Sequence, residues 1–412
     1  MEWDVGGEAP GFHMDVVDQQ FLVTFRYPVH FTRGVFGGTN PLLRKVLTDK
    51  SHRHPTDLVV MVDDGVVRAH PTLLADIAVY AQKADGELHM TAPVLVLPGG
   101  EEVKNDPRHL GTIYERLHDA ALCRQSYVVA VGGGAVLDAV GYAAATAHRG
   151  LRLVRVPTTV LAQDDSAMGV KNGVNAFGKK NYLGAFAPPF AVINDFDFLP
   201  TLLDRDWLSG VSEAIKAALI KDPDFFAHIE HQAGKLVNRD QAAMEDVIRH
   251  SAALHLSHIA TAGDPFEQTS SRPLDFGHWA AHKLEQLSSH RLRHGEAVAI
   301  GIALDSTYSY LSGSLAEKDW RRIVDLLVAL NLAVSAPELE EALDDPGNPR
   351  SVLGGLAEFR EHLGGQLTIM LLRSIGDAFD VHEIDTGVMI RSIETLRHEH
   401  LEAVSAHAYR AR

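Results

Sequence analysis

The stretch AVGGGAVLDAVGYAAATAHRG, residues 130–150, decides the fold of this chain. The apolar run SYVVAV that leads into it has the pattern of a buried strand, and the alanine-rich run that follows has the pattern of a helix. The three glycines between them, Gly132, Gly133 and Gly134, place no Cβ atom in the turn, so backbone N–H groups stay open to phosphate oxygens. A triple glycine also occurs in ordinary tight turns, but its place between strand and helix favours a dinucleotide-binding turn.

The same alternation continues through the first half of the chain. Apolar runs lie at 57–67, 92–105 and 152–159, and HPTLLADIAVYAQKA, a segment of helical spacing, separates the first two. Short strands separated by helices predict a parallel sheet with right-handed crossovers. Asp63 and Asp64 end the strand in the first run, at the ligand-binding edge of such a sheet. They either bind ribose hydroxyls there or form a polar turn.

After about residue 200 the pattern changes to helices. Segments such as DWLSGVSEAIKAALIKD and HGEAVAIGIALDSTYSYLSG have helical spacing, while LTIMLL at 367–372 predicts a late strand pair and 344–350 a loop. We therefore predict an α/β domain over 1–200 and a mostly α-helical domain over 201–412. The first 20 or so residues are expected to be loosely ordered.

Composition excludes several classes of function. The chain has 412 residues, 46% of them hydrophobic, and a formal net charge of −16. It lacks the extended basic surface that nucleic acids and anionic membranes require, so a phosphate ligand needs a local basic pocket. The lone Cys123 excludes an internal disulfide, and no apolar run reaches the roughly 18 residues of a membrane span. The N-terminus lacks the apolar core of a secretory signal, so we expect a soluble cytoplasmic protein.

A local basic cluster lies within 156–189. Three lysines and three asparagines fall close together there: Lys171, Lys179, Lys180, Asn172, Asn175 and Asn181. Ammonium and amide donors in an otherwise acidic chain are typical of a site for a phosphate and sugar hydroxyls. A solvated surface loop has a similar composition, but the flanking glycines and the Thr158–Thr159 pair favour the binding site.

Metal-ligand residue types recur in the helical half. Glu213 and Lys216 lie one helical turn apart, as do His278 and His282, and His294 follows His278 by sixteen residues. A carboxylate with two imidazoles is a common catalytic Zn²⁺ set. Most of the 23 histidines are expected to be ordinary core or surface residues, and spacing alone does not choose three ligands.

Seven ordered motifs add a resemblance to these patterns. GGGAVLD, VPTTVLAQDDS, KNGVN, KNYLGAF, EAIK, DFGHWAAH and HGEAVAIG resemble the sugar phosphate cyclases, the family that includes 3-dehydroquinate synthase, over about residues 55–375. The resemblance implies a Rossmann-like NAD-binding α/β domain, a mostly α-helical C-terminal domain, one Zn²⁺ or Co²⁺ ion and a homodimer. It also implies a lyase that uses NAD without net consumption to eliminate phosphate from a sugar phosphate and close a carbocycle.

The resemblance assigns roles to residues at matching positions. The metal ligands would be Glu213, His278 and His294. NAD would be lined by Asp63, Glu101, Lys104, Gly132, Gly133, Gly134, Asp138, Thr158, Thr159, Asp165, Lys171 and Lys180. The phosphate would be held by Lys171, Lys180, Asn181 and, acting across the dimer, Arg149. The groups expected at the reacting substrate are Lys216, Asp165, His282, Lys171 and Asp275.

Departures from the family pattern bear on the substrate. The positions at which 3-dehydroquinate synthases place a Lys and an Arg for the substrate carboxylate fall on Ser257 and Ser271, with Arg272 one residue out of register. The family's Asn is Asp275 here, and an Asp beside a substrate carboxylate costs free energy through like-charge contact. The same Asp accepts hydrogen bonds from sugar hydroxyls. This pattern resembles the 2-epi-5-epi-valiolone synthases, which act on sedoheptulose 7-phosphate.

Further segments are similar to that branch. LDFGH, VKNGVNAFGKKN, FAPP and FREHLGG (359–365) match it, and they would place Arg360 and His362 at the substrate. The alternatives are a 3-dehydroquinate synthase, if Arg272 replaces the missing carboxylate-binding residues, and a metal-dependent NAD alcohol or glycerol dehydrogenase. A binding protein without activity is disfavoured because Glu213, His278 and His294 are all present.

Overall fold

A computed structural model describes residues 18–49, 55–267, 269 and 271–410 of the chain. The loose order expected of the first 20 residues therefore concerns a segment that lies mostly outside the described residues. The strands are β1 Val29–Thr32, β2 Thr56–Asp63, β3 Leu88–Met90, β4 Leu95–Leu97, β5 Tyr127–Gly132, β6 Arg152–Pro157, β7 Lys171–Ala176, β8 Lys179–Phe186, β9 Ala191–Asp195, β10 Ile369–Ser374 and β11 Asp377–Val381.

Helices make up most of the remaining chain. They are α1 Leu42–Thr48, α2 Asp64–Ala69, α3 Leu73–Gln82, α4 Glu102–Asn105, α5 Pro107–Asp119, α6 Gly134–Thr146, α7 Asp204–Ser209, α8 Val211–Lys221, α9 Pro223–Val237, α10 Gln241–Thr261, α11 His278–Leu287, α12 His294–Leu311, α13 Glu317–Ala329, α14 Gly354–His362 and α15 Thr386–Arg410. Short 3₁₀ turns span Ala147–Arg149, Phe196–Thr201, Pro273–Asp275 and Pro337–Leu339, and a π turn spans Ala162–Ser166.

A parallel sheet forms the N-terminal part, as predicted. Its strand order is β1-β9-β6-β5-β2-β3, and β4 also pairs with β2. The central strand β5 is buried at every position. Its side chains alternate between two cores: Val128 and Ala130 pack on one face of the sheet, and Val129 and Val131 pack on the other. Helices therefore cover both faces, which explains the nearly continuous apolar run.

The helical part is built around two buried helices. In α8 every residue from Val211 to Ile220 is buried, and α12 is buried on all its faces over most of its length. The strand pair predicted near 367–372 is the antiparallel pair β10 and β11. Among the described residues, no helix has the length and apolarity needed to cross a bilayer.

The basic cluster forms a hairpin that the sequence analysis did not assign. Strands β7 and β8 pair in antiparallel register, with an irregularity between Val174 and Ala176. The hairpin packs against α6 and lies apart from the main sheet. It carries Lys171 at its start and Lys180 and Asn181 just after its turn, so one element presents all three side chains.

Two glycines allow α11 and α12 to approach closely. Gly277 precedes α11 with a φ of 78°, a left-handed conformation that side chains disfavour. A Cβ added to Gly301 of α12 would lie 2.0 Å from the carbonyl oxygen of Gly277. This contact sets the position of His278, the first residue of α11.

The close approach predicts that Gly301→Ala destabilises the protein. The added methyl group has no space and must push the start of α11 away from α12, so we expect the free energy of unfolding to fall by about 2 kcal/mol or more. Urea denaturation measures this change. The control is Gly111→Ala in α5, where a Cβ meets nothing within 4 Å; we expect it to be neutral or stabilising by about 0.5–1 kcal/mol. Equal stability of Gly301→Ala and wild type would contradict the packing described.

Candidate active site

A cavity of about 1080 Å³ lies between the carboxyl ends of the sheet strands and the helical part. Most of the residues predicted from the sequence line it: Asp63, Glu101, Lys104, Gly133, Gly134, Asp138, Thr158, Thr159, Asp165, Lys171, Lys180, Asn181, Lys216, Asp275, His278, His282 and His294. The cofactor, phosphate and metal residue sets, which the sequence analysis treated separately, thus share one space.

Four predicted residues do not line this cavity. Gly132 ends β5 just beneath it, and Glu213 is fully buried behind its wall. Arg149 and Arg360 are exposed and lie outside it. The side chain of His362 lies outside the described residues.

The glycine turn leaves a helix N-terminus open to the cavity. No side chain caps the 13-residue helix α6, which begins at Gly134. A Cβ on Gly134 would lie 2.8 Å from Ser166 Oγ, so any other residue there requires the Ser166 side chain to move. Uncapped N–H groups at a helix N-terminus suit a pyrophosphate. Asp63, across the turn, accepts a 2.7 Å hydrogen bond from the Gly65 N–H, and burial raises its pKa.

Polar contacts tie the basic hairpin to the α/β part. The Lys104 ammonium lies 2.9 Å from Asp138 Oδ2 and also donates to Asn181 Oδ1. The Asn181 N–H donates to Asn175 Oδ1 at 2.8 Å, and Asn175 Nδ2 donates to Glu101 at 3.1 Å. Burial opposes protonation of Lys104, but Asp138 and Glu101 outweigh it and raise its pKa.

Glu213, His278 and His294 form a candidate metal centre. Their nearest ligand atoms all lie within 4.8 Å of one another. Glu213 Oε1 lies 3.7 Å from His278 Nε2 and 3.4 Å from His294 Nε2. Glu213 is fully buried; its Oε2 pairs with the Lys216 ammonium at 2.7 Å, and its Oε1 faces the two imidazoles. A buried carboxylate oxygen facing two imidazole nitrogens fits a bound Zn²⁺-like cation.

The orientation of the two histidines supports this fit. His278 Nδ1 lies 3.1 Å from the carbonyl oxygen of Phe276, and His294 Nδ1 lies 3.0 Å from Glu285 Oε2. The carbonyl oxygen only accepts, so His278 Nδ1 carries the proton, and its Nε2 is free to bind a cation beside Glu213. His294 Nδ1 also lies 3.3 Å from the Lys180 ammonium. Burial and Lys180 lower the pKa of His294, but Glu285 and Glu213 outweigh them and raise it to about 9, so its Nε2 must release a proton to bind a cation.

A second set, His282, Glu285 and His294, is also close enough to hold a cation. Its carboxylate is already engaged, because the Lys180 ammonium lies 2.7 and 2.6 Å from the two oxygens of Glu285. Burial would raise the pKa of Glu285, but Lys180 and His294 hold it well below its ordinary value. The geometry therefore favours the Glu213 set as the metal centre. In the second set the Lys180 ammonium already supplies the positive charge beside Glu285.

Lys216 connects the metal centre to the cavity. Its ammonium lies 2.7 Å from Glu213 Oε2 and 3.4 Å from Asp165 Oδ1. Asp165 lies on the π turn Ala162–Ser166, an irregularity that is frequent at functional sites. Burial acts against the charges of all three groups, but the attraction between Lys216 and the two carboxylates raises the pKa of Lys216 and lowers the pKa of Glu213 and of Asp165.

Asp275 lies in a mixed cluster of charges at the cavity wall. Burial would raise its pKa, but Lys171, His278 and Arg272 outweigh burial and lower it. Lys171 forms a 2.5 Å ion pair with Glu267, and Arg272 lies 3.7 Å from the same carboxylate. Arg272 lines the cavity, whereas Ser257 and Ser271 are exposed and lie outside it.

Sequence reasoning missed two residues that line the cavity, Glu285 and His255, and the buried Asp305 that supports its wall. Glu285 lies one helical turn after His282, so its spacing could have identified it. His255 is brought to the cavity from α10, and its Nδ1 lies 2.8 Å from Asp165 Oδ1. Asp305 of α12 is fully buried and accepts from Gly277 N–H and Trp279 Nε1, the residues on either side of His278. No local pattern marks either of these two.

A parallel sheet with an open glycine turn, facing a buried carboxylate–imidazole centre, defines a dehydroquinate synthase-like protein. Family models described as the N-terminal and C-terminal parts of 3-dehydroquinate synthase match residues 94–209 and 210–345. The chain therefore belongs to the 3-dehydroquinate synthase family of sugar phosphate cyclases, which confirms the resemblance read from the motifs.

Individual relatives agree with this assignment. A 3-dehydroquinate synthase of Acinetobacter baumannii (strain SDF) is 36% identical over 318 residues, which are 77% of this chain and 85% of that protein. A 2-epi-5-epi-valiolone synthase, ValA from Streptomyces hygroscopicus subsp. jinggangensis 5008, was solved with NAD⁺ and Zn²⁺ bound. It is 27% identical, and the match covers 93% of this chain and all of that one with a TM-score of 0.82.

A third relative shares the fold. A 2-deoxy-scyllo-inosose synthase, solved with carbaglucose-6-phosphate, NAD⁺ and Co²⁺, has a TM-score of 0.67 at 23% identity, over 90% of this chain and 96% of that one. The predicted fold, an α/β domain followed by a mostly helical part, is thus confirmed.

The buried Asp305 predicts a pH dependence of stability. Burial raises its pKa to about 7, against the opposing effect of the hydrogen bonds from Trp279 and Gly277. In the unfolded chain the carboxyl group has its ordinary pKa of 3.8, so the folded protein holds a proton that the unfolded chain has already released. The contribution of Asp305 to the free energy of unfolding therefore falls as pH rises from about 4 to about 7. Asp305→Asn removes this dependence.

Between pH 5 and pH 8 we expect the free energy of unfolding of wild type to fall by about 2 kcal/mol relative to that of Asp305→Asn. Denaturant unfolding at matched metal loading measures the difference at each pH. Parallel stability curves for the two proteins would show that Asp305 is ionised in the folded state throughout this range.

Proposed function

We propose that this chain is a sugar phosphate cyclase that converts sedoheptulose 7-phosphate to 2-epi-5-epi-valiolone and phosphate. The observation that supports this function most is one cavity shared by the open N-terminus of α6, the Lys171–Lys180–Asn181 cluster and the metal centre at Glu213. A phosphate-eliminating cyclase needs a dinucleotide, a phosphate site and a metal around the same ring. The proposed cofactors are therefore NAD and Zn²⁺ or Co²⁺, and the enzyme would be a carbon–oxygen lyase.

When bound, NAD⁺ and the metal supply transient hydride acceptance and Lewis-acid polarisation of a ring hydroxyl. Glu213, His278 and His294 would hold the metal, and Lys216 would donate to the hydroxyl beside it. Asp165 would accept a hydrogen bond from a neighbouring hydroxyl. The NAD site would be lined by Gly132, Gly133, Gly134, Asp138, Thr158 and Thr159, with Asp63, Glu101 and Lys104 towards the adenosine, and Asp165, Lys171 and Lys180 at the other end.

The basic hairpin would hold the phosphate group. Lys171, Lys180 and Asn181 present charged or amide donors from one element, and His282 lies beside Lys180 at the cavity. Arg149 is exposed outside the cavity, so in this proposal it acts on the site of a second copy in a homodimer. Arg360 and His362 are proposed at the substrate only after movement of α14, because Arg360 is exposed here.

Charge balance favours sedoheptulose 7-phosphate over a carboxylated substrate. Lys171 and Arg272, the cations beside Asp275, already face the carboxylates of Asp275 and Glu267. No positive charge is left in surplus at this wall for a substrate carboxylate. A neutral hydroxymethyl ketone can instead donate its hydroxyl to Asp275. The fold match with a 2-epi-5-epi-valiolone synthase supports the same branch.

The second candidate is a 3-dehydroquinate synthase. Arg272 lines the cavity and its buried Nε lacks a hydrogen-bond partner among the described residues, so it could turn to a substrate carboxylate. The 36% identical relative carries that name. A more distant alternative, an NAD-dependent alcohol or glycerol dehydrogenase, leaves the Lys171–Lys180–Asn181 cluster without a use and predicts net NADH formation.

Phosphate release tests these functions directly. Purified protein with NAD⁺ and Zn²⁺ or Co²⁺ is offered sedoheptulose 7-phosphate and 3-deoxy-arabino-heptulosonate 7-phosphate in separate assays. We expect release from the first substrate without accumulation of NADH. Release from the second alone would establish the dehydroquinate synthase alternative, and net NADH without phosphate would establish a dehydrogenase.

The metal assignment predicts that Glu213→Gln loses both bound metal and turnover. The neutral amide removes the charge that the buried cation needs, so we expect metal content to fall below a tenth of wild type and activity by at least 10³-fold. Metal analysis after dialysis and the phosphate assay measure the two. The control, Glu230→Gln, affects a surface ion pair with Arg322 and should leave both unchanged. Full activity without bound metal would refute the assignment.

The charge argument predicts that Asp275→Asn shifts substrate preference. Asn keeps one amide oxygen as an acceptor but removes the negative charge, which weakens the hydrogen bond from a substrate hydroxyl and leaves Lys171 and Arg272 with surplus positive charge. We expect kcat/KM for sedoheptulose 7-phosphate to fall about 10-fold, which corresponds to one hydrogen bond to a charged group. Activity on 3-deoxy-arabino-heptulosonate 7-phosphate should rise or appear. Unchanged kinetics on both substrates would remove Asp275 from the account of specificity.

A further inference from the structure

We propose that His255 is a positioning residue that acts through Asp165. Its Nδ1 donates to Asp165 Oδ1 and so holds Oδ2 towards the ring hydroxyl of the substrate. This inference rests on the proposed function, because it gives Asp165 a substrate hydroxyl to bind. Nothing in the sequence motifs marks His255, and it lies 90 residues from Asp165.

The contacts of Asp165 are uneven between its two oxygens. His255 Nδ1 lies 2.8 Å from Oδ1, and Lys216 Nζ lies 3.4 Å from the same atom. No described residue donates a hydrogen bond to Oδ2. Because the Asp165 side chain lines the cavity, Oδ2 is the oxygen left to accept from a ligand. Two donors on one oxygen fix the plane of the carboxylate and thus the direction of the other oxygen.

The protonation of His255 follows from its partner. Burial would raise the pKa of Asp165, but Lys216 and His255 outweigh burial and keep this carboxylate ionised. An ionised carboxylate only accepts, so Nδ1 of His255 carries the proton. The other nitrogen, Nε2, lies 3.6 Å from where a Cβ on Gly169 would stand, next to backbone. His255 therefore presents its donor to Asp165 rather than to the substrate.

The elements around the pair are suited to a positioning role. α10 packs along the π turn that carries Asp165, and His255 is mostly buried between them. The π turn itself is an irregular backbone that needs side-chain contacts to fix its orientation. Lys216 cannot supply this alone, because its ammonium is shared with Glu213 at the shorter distance of 2.7 Å.

Two substitutions of similar polarity test whether the donor at the position of Nδ1, rather than Nε2, is the one that matters. The amide nitrogen of Asn lies as many bonds from Cα as Nδ1 does, and that of Gln as many as Nε2. His255→Asn keeps a donor for Asp165 Oδ1, whereas His255→Gln displaces it by one bond. We expect kcat on sedoheptulose 7-phosphate to stay within about three-fold of wild type for Asn and to fall about 10- to 100-fold for Gln, with a smaller change in KM.

The control for changes to α10 is His250→Gln. His250 lies on the same helix, pairs with Asp222 on the surface and is outside the cavity, so kcat should not change. Metal content and NAD⁺ affinity are measured for every variant to show that the site is loaded. Equal losses in Asn and Gln variants, or full activity in both, would overturn the positioning role.

A double-mutant cycle keeps the inference testable if the proposed function fails. The unfolding free energies of wild type, His255→Asn, His255→Gln, Asp165→Ala and the two double variants give, for each substitution at position 255, the interaction with Asp165 that the substitution removes. We expect a coupling energy near zero for Asn, which keeps the contact, and a clear coupling energy for Gln, which loses it. Wild type that releases phosphate from neither sugar refutes the function, while absent coupling in both cycles refutes the His255–Asp165 contact.

Discussion

The buried carboxylate of Glu213 is the constraint on which the rest of the site depends. An ionised carboxylate at zero exposure is stable only where opposite charge compensates its lost hydration. α8 supplies Lys216 one turn away, and the first residues of α11 and α12 supply His278 and His294. The helical part must therefore bring three helix segments to one point, and the tight contact between Gly277 and Gly301 is how two of them reach it.

From this centre, polar contacts extend in two directions. One path runs through Lys216 and Asp165 to His255, and so ties α8, the π turn and α10 together. The other runs through His294 and Glu285 to Lys180, and so ties α12 and α11 to the basic hairpin. Each path alternates positive or donating groups with carboxylates, which is why so many ionisable groups can share a partly dry cavity.

The sequence predicted the layers of the fold well and the site in part. Strands such as β5 and helices such as α8 can be predicted from the sequence because burial on every side gives nearly unbroken apolar runs. The seven sequence motifs contain most of the predicted residues that line the cavity. The β7–β8 hairpin was missed because its alternation is polar, and His255 and Asp305 because their partners lie far away in the chain. Arg149, which the resemblance places at the phosphate of a second copy, lies outside the cavity of its own copy.

The lysines of the basic hairpin are already neutralised before any ligand arrives. Lys171 faces Glu267, and Lys180 faces Glu285. Under the proposed function these carboxylates compete with the substrate phosphate for the lysines, so phosphate binding gains only the difference between the two sets of contacts. The phosphate would bind more weakly than to unpaired ammonium groups, but the carboxylates would pair with the lysines again when it leaves. Such a hairpin would favour release of the phosphate over its retention.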